Sequence, residues 1–469
     1  EVAIIGAMKF KYKNLINIMI GLLSGVIVSL ILPSSFSVQA RIALGMMILM
    51  IYWWITRPVQ LAVTALIPLL VNSFYPMIPM KDMLVDYGSP IVLLILGASI
   101  LTSAWTLHGL DKRVALSSLA LIGPSVGKQI AVWFVLSVIM SAFMPNMVVV
   151  AALCPIAYSM VKYTGSGENS TSSFMLLLAI AWGAGIGGFG TPMGGAMNLV
   201  AISNIETYTG TEFFYGQWVI KILPYLVILT AVTLSYLLLI KKDVRHFSQS
   251  KDFYKGQLHE LGRISRGEVI ALIFLGLAIV LSLTRPFYEE LLPGFKPPYA
   301  FLLMGVLAFF IGDGKGKRII DWKFAVKNVN WGLMILFAGG LAIGGLIIDT
   351  GAAGVIAGMM TGQGSVFLFI LVIVAVGIFL ANTSSNTAAC AVLIPIVISV
   401  AVGLKGDPLP YVFLAAAACN SAFALPTSIR AVPVGYGLDS GFMFKKGIGA
   451  IVVSYITLVA AGYIMIVLL

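Results

Sequence analysis

Four short polar clusters interrupt an otherwise apolar chain. The first is Pro145-Asn146-Met147, and the second is Asn382-Thr383-Ser384-Ser385-Asn386-Thr387, six uncharged polar residues in a row. The third is the glycine-rich stretch from Gly185 to Asn198, which holds Thr191, Pro192 and Gly195. The fourth is Pro426-Thr427-Ser428-Ile429-Arg430, with one cation in an uncharged stretch. Amide and hydroxyl groups such as those of Asn146, Thr191, Asn198, Ser385, Asn386, Thr387, Thr427 and Ser428 can donate to a carboxylate without burying a fixed charge. Where such a cluster breaks a helix, the N–H groups of the next helix attract anions, and the C-terminal carbonyls of the preceding one can coordinate sodium. A guanidinium in mid-apolar sequence is expensive and therefore a functional candidate. Arg430 can hold a carboxylate through two hydrogen bonds. Each feature also has a plainer explanation. Ser385 to Thr387 can cap a helix, the glycines can allow close packing, and Arg430 can snorkel to headgroups. Six adjacent polar residues cost too much in apolar surroundings to be casual.

Bond-making chemistry has no such foundation. His108, His246 and His259 are too scattered for a metal pair, and Cys154, Cys390 and Cys419 lie in apolar stretches without metal or disulfide spacing. Gly312-Asp313-Gly314-Lys315-Gly316-Lys317 lacks the phosphate-loop spacing, and no Ser-His-Asp arrangement is present. The expectation is no enzyme, no catalytic residue, no metal centre and no cofactor.

The elements that must position these clusters are membrane spans. Hydrophobic residues make up 60% of the chain and charged residues only 10%, too few charges to cover a soluble surface. The net charge of +11 then reads as basic cytoplasmic loops, not as a nucleic-acid surface. Apolar runs of spanning length fall at 14–32, 42–56, 60–75, 89–107, 172–202, 218–240, 268–284, 299–312, 331–349, 411–435 and 447–469. Two further stretches, 129–161 and 367–402, are broken at Asn146 and Asn386 and are too short for two crossings with a turn in water. They read as re-entrant hairpins with non-helical tips. With Lys9, Lys11 and Lys13 cytoplasmic, the basic segments Asp111 to Lys128, 241–266, 313–328 and Lys445-Lys446 all fall inside, and Lys81 and Lys405 are minor exceptions. Lys241, Lys242, Arg245 and Lys251 outweigh Asp243 and Asp252 in the first long loop, and Lys315, Lys317 and Arg318 follow in the second. The expected location is a multi-pass protein of the bacterial plasma membrane, N-terminus cytoplasmic.

The halves of the chain repeat. Asn146 precedes Pro155 by nine residues, as Asn386 precedes Pro395. Leu96-Gly97-Ala98 matches Ala338-Gly339-Gly340 in the spans upstream, and a glycine- or proline-broken span follows each hairpin. The span count makes one hairpin rise from inside and the other descend from outside. This is an inverted repeat of the kind that builds secondary transporters around a midplane site. The fold class is therefore all-α and polytopic, with about eleven transmembrane helices and two re-entrant hairpins. The expected divisions are scaffold helices at 1–87, a first repeat at 88–217, scaffold helices with a basic loop at 218–330, the second repeat at 331–446 and a last helix at 447–469.

With these residues in place, the chain resembles the divalent anion/sodium symporter family, the dicarboxylate carriers often called INDY proteins. Ser385-Asn386-Thr387-Ala388-Ala389 with Pro395 is similar to that family's second Ser-Asn-Thr hairpin. Trp331-Gly332 through Ala342 is similar to the helix before it, and Gly187-Gly188 to Asn198 to the first broken helix. The resemblance implies a homodimer, a scaffold with an elevator-type transport domain, and C4–C6 substrates such as succinate, malate, fumarate, 2-oxoglutarate or the tricarboxylate citrate. It implies substrate binding by Asn146, Thr191, Gly195, Asn198, Ser385, Asn386, Thr387, Thr427, Ser428 and Arg430. Any sodium would fall to Ser141, Asn146, Ser385 and Asn386. The chain departs from the family at Pro145 and Met147, which replace two hydroxyl residues, and at Gly195-Ala196-Met197-Asn198 and Ile429-Arg430-Ala431-Val432, which replace Thr-Pro-Pro-Asn. These departures point to sodium-independent dicarboxylate exchange, with Arg430 in place of one sodium charge. Sodium-coupled symport and transport of an inorganic oxyanion such as sulfate or phosphate are the alternatives.

Overall fold

A computed structural model describes residues 2–167, 169–241, 247, 249–314, 316–329, 331–352, 355, 365–403 and 406–468. Lys242, Asp243, Arg245, His246, Lys315 and Lys405 lie outside the described residues. Helices begin where the sequence supplies caps. Ser37, Ser89 and Ser170 accept backbone N–H groups of Ala40, Val92 and Ser173, which satisfies donors that a helix start leaves open. Ser265 and Glu268 form a reciprocal capping box. Asp321, Asp407 and Asp439 cap the helices that follow them.

Nine helices among the described residues are long and apolar enough to cross a membrane, or ten if the bent pair Trp322–Asn328 and Trp331–Ile347 is one span. Three of the nine, Val126–Phe143, Asn146–Tyr163 and Val366–Thr383, belong to the two stretches read from the sequence as re-entrant, and each is long enough to cross. Six of the eleven expected crossings appear as single long helices among the described residues, because several of the others are broken. The run 172–202 is two helices, Thr171–Gly187 and Ala196–Thr209. The run 411–435 is Pro408–Cys419 and the short Ala431–Gly435. The run 60–75 divides into Leu61–Thr64 and Ile67–Phe74. The outer helices expose bare hydrocarbon, with Leu30 at 75% and Leu239 at 80%. Water would not tolerate this along whole helix faces, whereas lipid does.

The repeat is explicit in the element order. Each half has one long helix, Pro90–Leu107 or Trp331–Asp349. Next comes a pair of 18-residue arms, Val126–Phe143 with Asn146–Tyr163 or Val366–Thr383 with Asn386–Gly403. A broken helix closes each half.

Charge divides the molecule into two ends. Arg113 pairs with Glu268 at 2.5 Å and donates to the carbonyls of Gly262, Leu261 and Arg263. His108 Nε2 bonds the Ile319 carbonyl at 2.8 Å. Gln129, at the foot of the first arm, bonds Ser250 and Tyr254 of the 250–260 helix. The basic segments therefore gather at one end. At the other end of helix Arg266–Leu283, about 27 Å away at the helical rise, Arg285 pairs with Glu212 at 3.2 Å. Phe213 there meets Phe413, near the start of the helix that follows the second hairpin. The first hairpin thus stands on the basic end, and the second on the opposite one.

Candidate functional site

In the first half, everything converges on Gly188. The arm Val126–Phe143 packs so tightly on Thr171–Gly187 that a Cβ on Gly187 would collide with the Val138 backbone. A Cβ on Gly188 would collide with the Asn146 amide, so that side chain lies flat on the glycine. Asn146 opens the second arm directly after Pro145, whose fixed φ suits the cap position. From the far side Asn198 donates to Gly188 O at 2.7 Å and Thr191 O at 2.6 Å. Those two bonds consume both Nδ2 protons and fix the amide orientation. The Asn198 and Asn146 Oδ1 atoms are then buried without any hydrogen-bond donor. Ser141 donates to Ala184 O at 2.8 Å. Thr191 donates to Ala142 O and accepts from Met193 N. Gly195 is the extended residue before Ala196–Thr209.

The second half is built around Asn382 and Asn420. Asn382 Oδ1 accepts the Phe423 and Ala424 N–H groups, both at 3.0 Å, which holds the broken segment against the hairpin. Asn420 donates to Ala416 O, so its Oδ1 faces Asn386 and accepts from Asn386 Nδ2 at 3.0 Å. Asn386 Oδ1 is left buried with no donor. Ser385 accepts from Ala388 N at 3.2 Å and so caps the arm. Thr387 is half-buried beside it. Thr427 donates to Asn382 O at 3.0 Å, and Ser428 adopts a left-handed φ of 54°.

Arg430 is 1% exposed and does not snorkel. Its guanidinium donates to Leu425 O at 2.9 Å, Ala422 O at 3.2 Å, Ala381 O at 3.1 Å and Thr427 Oγ1 at 2.7 Å. Four of a guanidinium's five donors are thus held by its own chain, so a two-pronged grip on a carboxylate does not fit. What Arg430 supplies is charge. It fills a nest of carbonyl oxygens where the helix breaks. No ion pair among the described residues involves it.

The two half-sites adjoin. Trp182 donates to Phe423 O at 3.1 Å across the repeat, and Gly185 faces the Asn420 carbonyl and Ile429. Each half thus presents a helix N-terminus, suited to an anion, beside buried amide oxygens without donors, which suit a hard cation. Unsatisfied buried acceptors of this kind are rare in finished cores. Among the described residues no group of three His, Cys, Asp or Glu side chains could hold a metal.

A family model described as citrate transporter matches residues 47–418. The chain belongs to the citrate transporter family. Two curated relatives of this transporter are both titled sodium-dependent dicarboxylate transporter SdcS. That of Staphylococcus saprophyticus is 28% identical over 97% of this chain and 92% of its own. That of Staphylococcus aureus USA300 is 29% identical over 82% of this chain and 78% of its own. Among solved structures, the YdaH transporter of Alcanivorax borkumensis aligns with a TM-score of 0.54 at 12% identity, covering 82% of this chain and 87% of that one. That likeness concerns the fold.

Sequence reasoning missed the part that two asparagines play in this candidate site. Asn420 gave one usable signal, a polar residue directly after the apolar run Val412 to Cys419. Asn382 was visible only as a member of the polar run, and its role as the clamp on Phe423 and Ala424 needs the tertiary contact.

Proposed function

We propose that the transporter carries small dicarboxylates, of the C4 to C6 class to which succinate, malate, fumarate and 2-oxoglutarate belong, together with a monovalent cation. The tricarboxylate citrate is a further candidate. The observation that carries this reading is the coexistence, at each hairpin tip, of anion-attracting helix N–H groups with a buried amide oxygen lacking a donor. The carboxylates would lie at the N-termini that begin with Asn146 and Asn386, the latter flanked by Ser385 and Thr387. Sodium would fall to the first half, where Asn146 and Asn198 Oδ1 converge on Gly188 and Ser141 stands close by. The second half needs no second ion, because Arg430 already occupies its carbonyl nest. The relatives' printed names favour sodium dependence.

The sodium-independent exchange expected from the sequence is the second reading, and the wholly buried Arg430 favours it. An empty pocket with a permanent charge crosses a bilayer poorly, so return would require another anion. In either case the two repeats, 88–217 and 331–446, would move as a transport domain against the remaining helices in an elevator fashion, within a homodimer. The basic end would face the cytoplasm of a bacterial plasma membrane.

The test is radiolabelled succinate uptake into proteoliposomes, with and without external sodium and with and without internal dicarboxylate. Uptake into empty vesicles driven by a sodium gradient supports the first reading. Uptake that ignores sodium and needs internal dicarboxylate supports the second. Sulfate or phosphate that competes better than succinate would overturn both.

A further inference from the structure

The ion pairs at the two ends of helix Arg266–Leu283 are built differently. At the basic end Arg113 holds Glu268 and the carbonyls of Leu261, Gly262 and Arg263, while the Ser265 N–H donates to Glu268 at 2.6 Å in the capping box. At the far end one carboxylate, Glu212, faces two cations. Arg285 Nε and Nη2 each donate to Glu212, both at 3.2 Å, and Lys296 Nζ stands 3.9 Å from the same carboxylate. Arg285 is fixed on its own side. It donates to Leu292 O at 3.0 Å and Pro293 O at 2.9 Å, its guanidinium lies over the Tyr288 ring, and its side chain is 3% exposed. Glu212 is fixed on the opposite side. Gly210 turns the chain with a left-handed φ of 68°, Phe213 N donates to Glu206 at 2.9 Å, and the Phe213 ring packs on Phe413 of the second repeat. Between the two sides the packing is incomplete. A cavity of about 100 Å³ is lined by Pro192, Ser203, Glu206 and Tyr215 of the first repeat and by Lys296 and Pro297 across from them.

We propose that Glu212 and the pair Arg285 and Lys296 form an ionic latch that shuts the end of the transporter opposite the basic one. The inference rests on the elevator reading given above. Arg285 and Lys296 stay with the static helices, and Glu212 rides on the moving repeat. Movement of the repeat breaks the bidentate pair. The break is reversible, because Arg285 keeps its two carbonyls and Glu212, already 16% exposed, passes into water. The Arg113 network at the basic end has more bonds on each partner and holds through the movement. The cavity behind the latch reaches Pro192 in the first broken helix, so its release opens that side of the site to solution.

The experiment uses the full chain, oriented in proteoliposomes, with Ser203→Cys as a reporter in the cavity; Cys154, Cys390 and Cys419 are buried. A charged, impermeant methanethiosulfonate is applied from the face opposite the basic end. Glu212→Gln keeps the shape of the side chain and loses its charge. Its labelling rate should rise about tenfold, the share of one charge-assisted contact. Glu212→Asp should restore much of the slow rate. Raising the ionic strength should speed labelling when Glu212 is present and leave Glu212→Gln unchanged. An unchanged labelling rate in Glu212→Gln overturns the latch. So does a faster rate accompanied by a melting midpoint several degrees lower, which would make the pair a general brace. If Glu212→Gln fails to fold, Lys296→Gln takes its place, with a rise of about two- to threefold expected and the absence of any rise overturning the latch. Succinate that is transported without altering the labelling of Ser203→Cys, with Glu212 in place, would instead refute the elevator reading.

Discussion

Replacing Arg430 by Ala removes four hydrogen bonds at once and leaves the carbonyls of Ala381, Ala422 and Leu425 inside the protein without those donors. Bonds from a charged donor contribute about 1.5–3 kcal/mol each. A simple sum overshoots, because water or a shifted backbone satisfies part of what is lost. Each buried carbonyl left without a donor costs about 1–3 kcal/mol, so with partial relief at the three carbonyls the expected loss is about 3–5 kcal/mol. At roughly 2 °C per kcal/mol, the unfolding midpoint of the purified protein should fall by about 6–10 °C. Arg430→Lys keeps the charge but has a shorter reach and three donors, so it should lose about half as much. The fixed-cation reading adds a signature that a purely structural role lacks. With the guanidinium gone, the same carbonyls become a vacant nest, so the sodium dependence of Arg430→Ala should steepen from a Hill coefficient of about one towards two, the number of sites. Arg430→Lys should keep the shallow dependence. An Arg430→Ala protein that melts within a degree of wild type with an unchanged sodium curve would refute the reasoning.

Other perturbations test the remaining contacts. Gly188→Ala should abolish uptake, since its Cβ would displace the Asn146 amide, while Gly256→Ala, with nothing within 4 Å, should transport normally. Asn198→Ala removes the donors to Gly188 and Thr191; it should destabilise by about 1–3 kcal/mol and weaken sodium dependence, read from the uptake curve. Asn386→Ala and Asn420→Ala should each raise half-saturating succinate about tenfold. Their double mutant should be less than additive by about 1 kcal/mol, because one bond joins them. Trp182→Phe keeps the ring but loses the bond to Phe423 O, and a melting point lowered by a few degrees with unchanged affinity is expected.

The membrane class was decided by composition, because so few charges cannot solvate a surface of this size. The repeat followed from spacing. The intervals from Asn146 to Pro155 and from Asn386 to Pro395 returned as pairs of 18-residue arms with matching breaks. Hydropathy alone left 172–202 and 411–435 as continuous runs, since an unwound segment sheltered by neighbouring helices retains its apolar residues, but the glycines and prolines at 185–195 and 426–433 marked both breaks, and the helices end there. Local pattern placed Arg430 at a break but left its partners open. Those partners are backbone carbonyls, which every residue carries, and one of them, Ala381, lies 49 residues away. The same holds for Asn420, an ordinary residue at a helix end until the fold brings it to Asn386. Spacing along a chain reports which side chains share a helix face. Which carbonyls, amides and charges meet across helices depends on how those helices pack, and only the tertiary structure contains that.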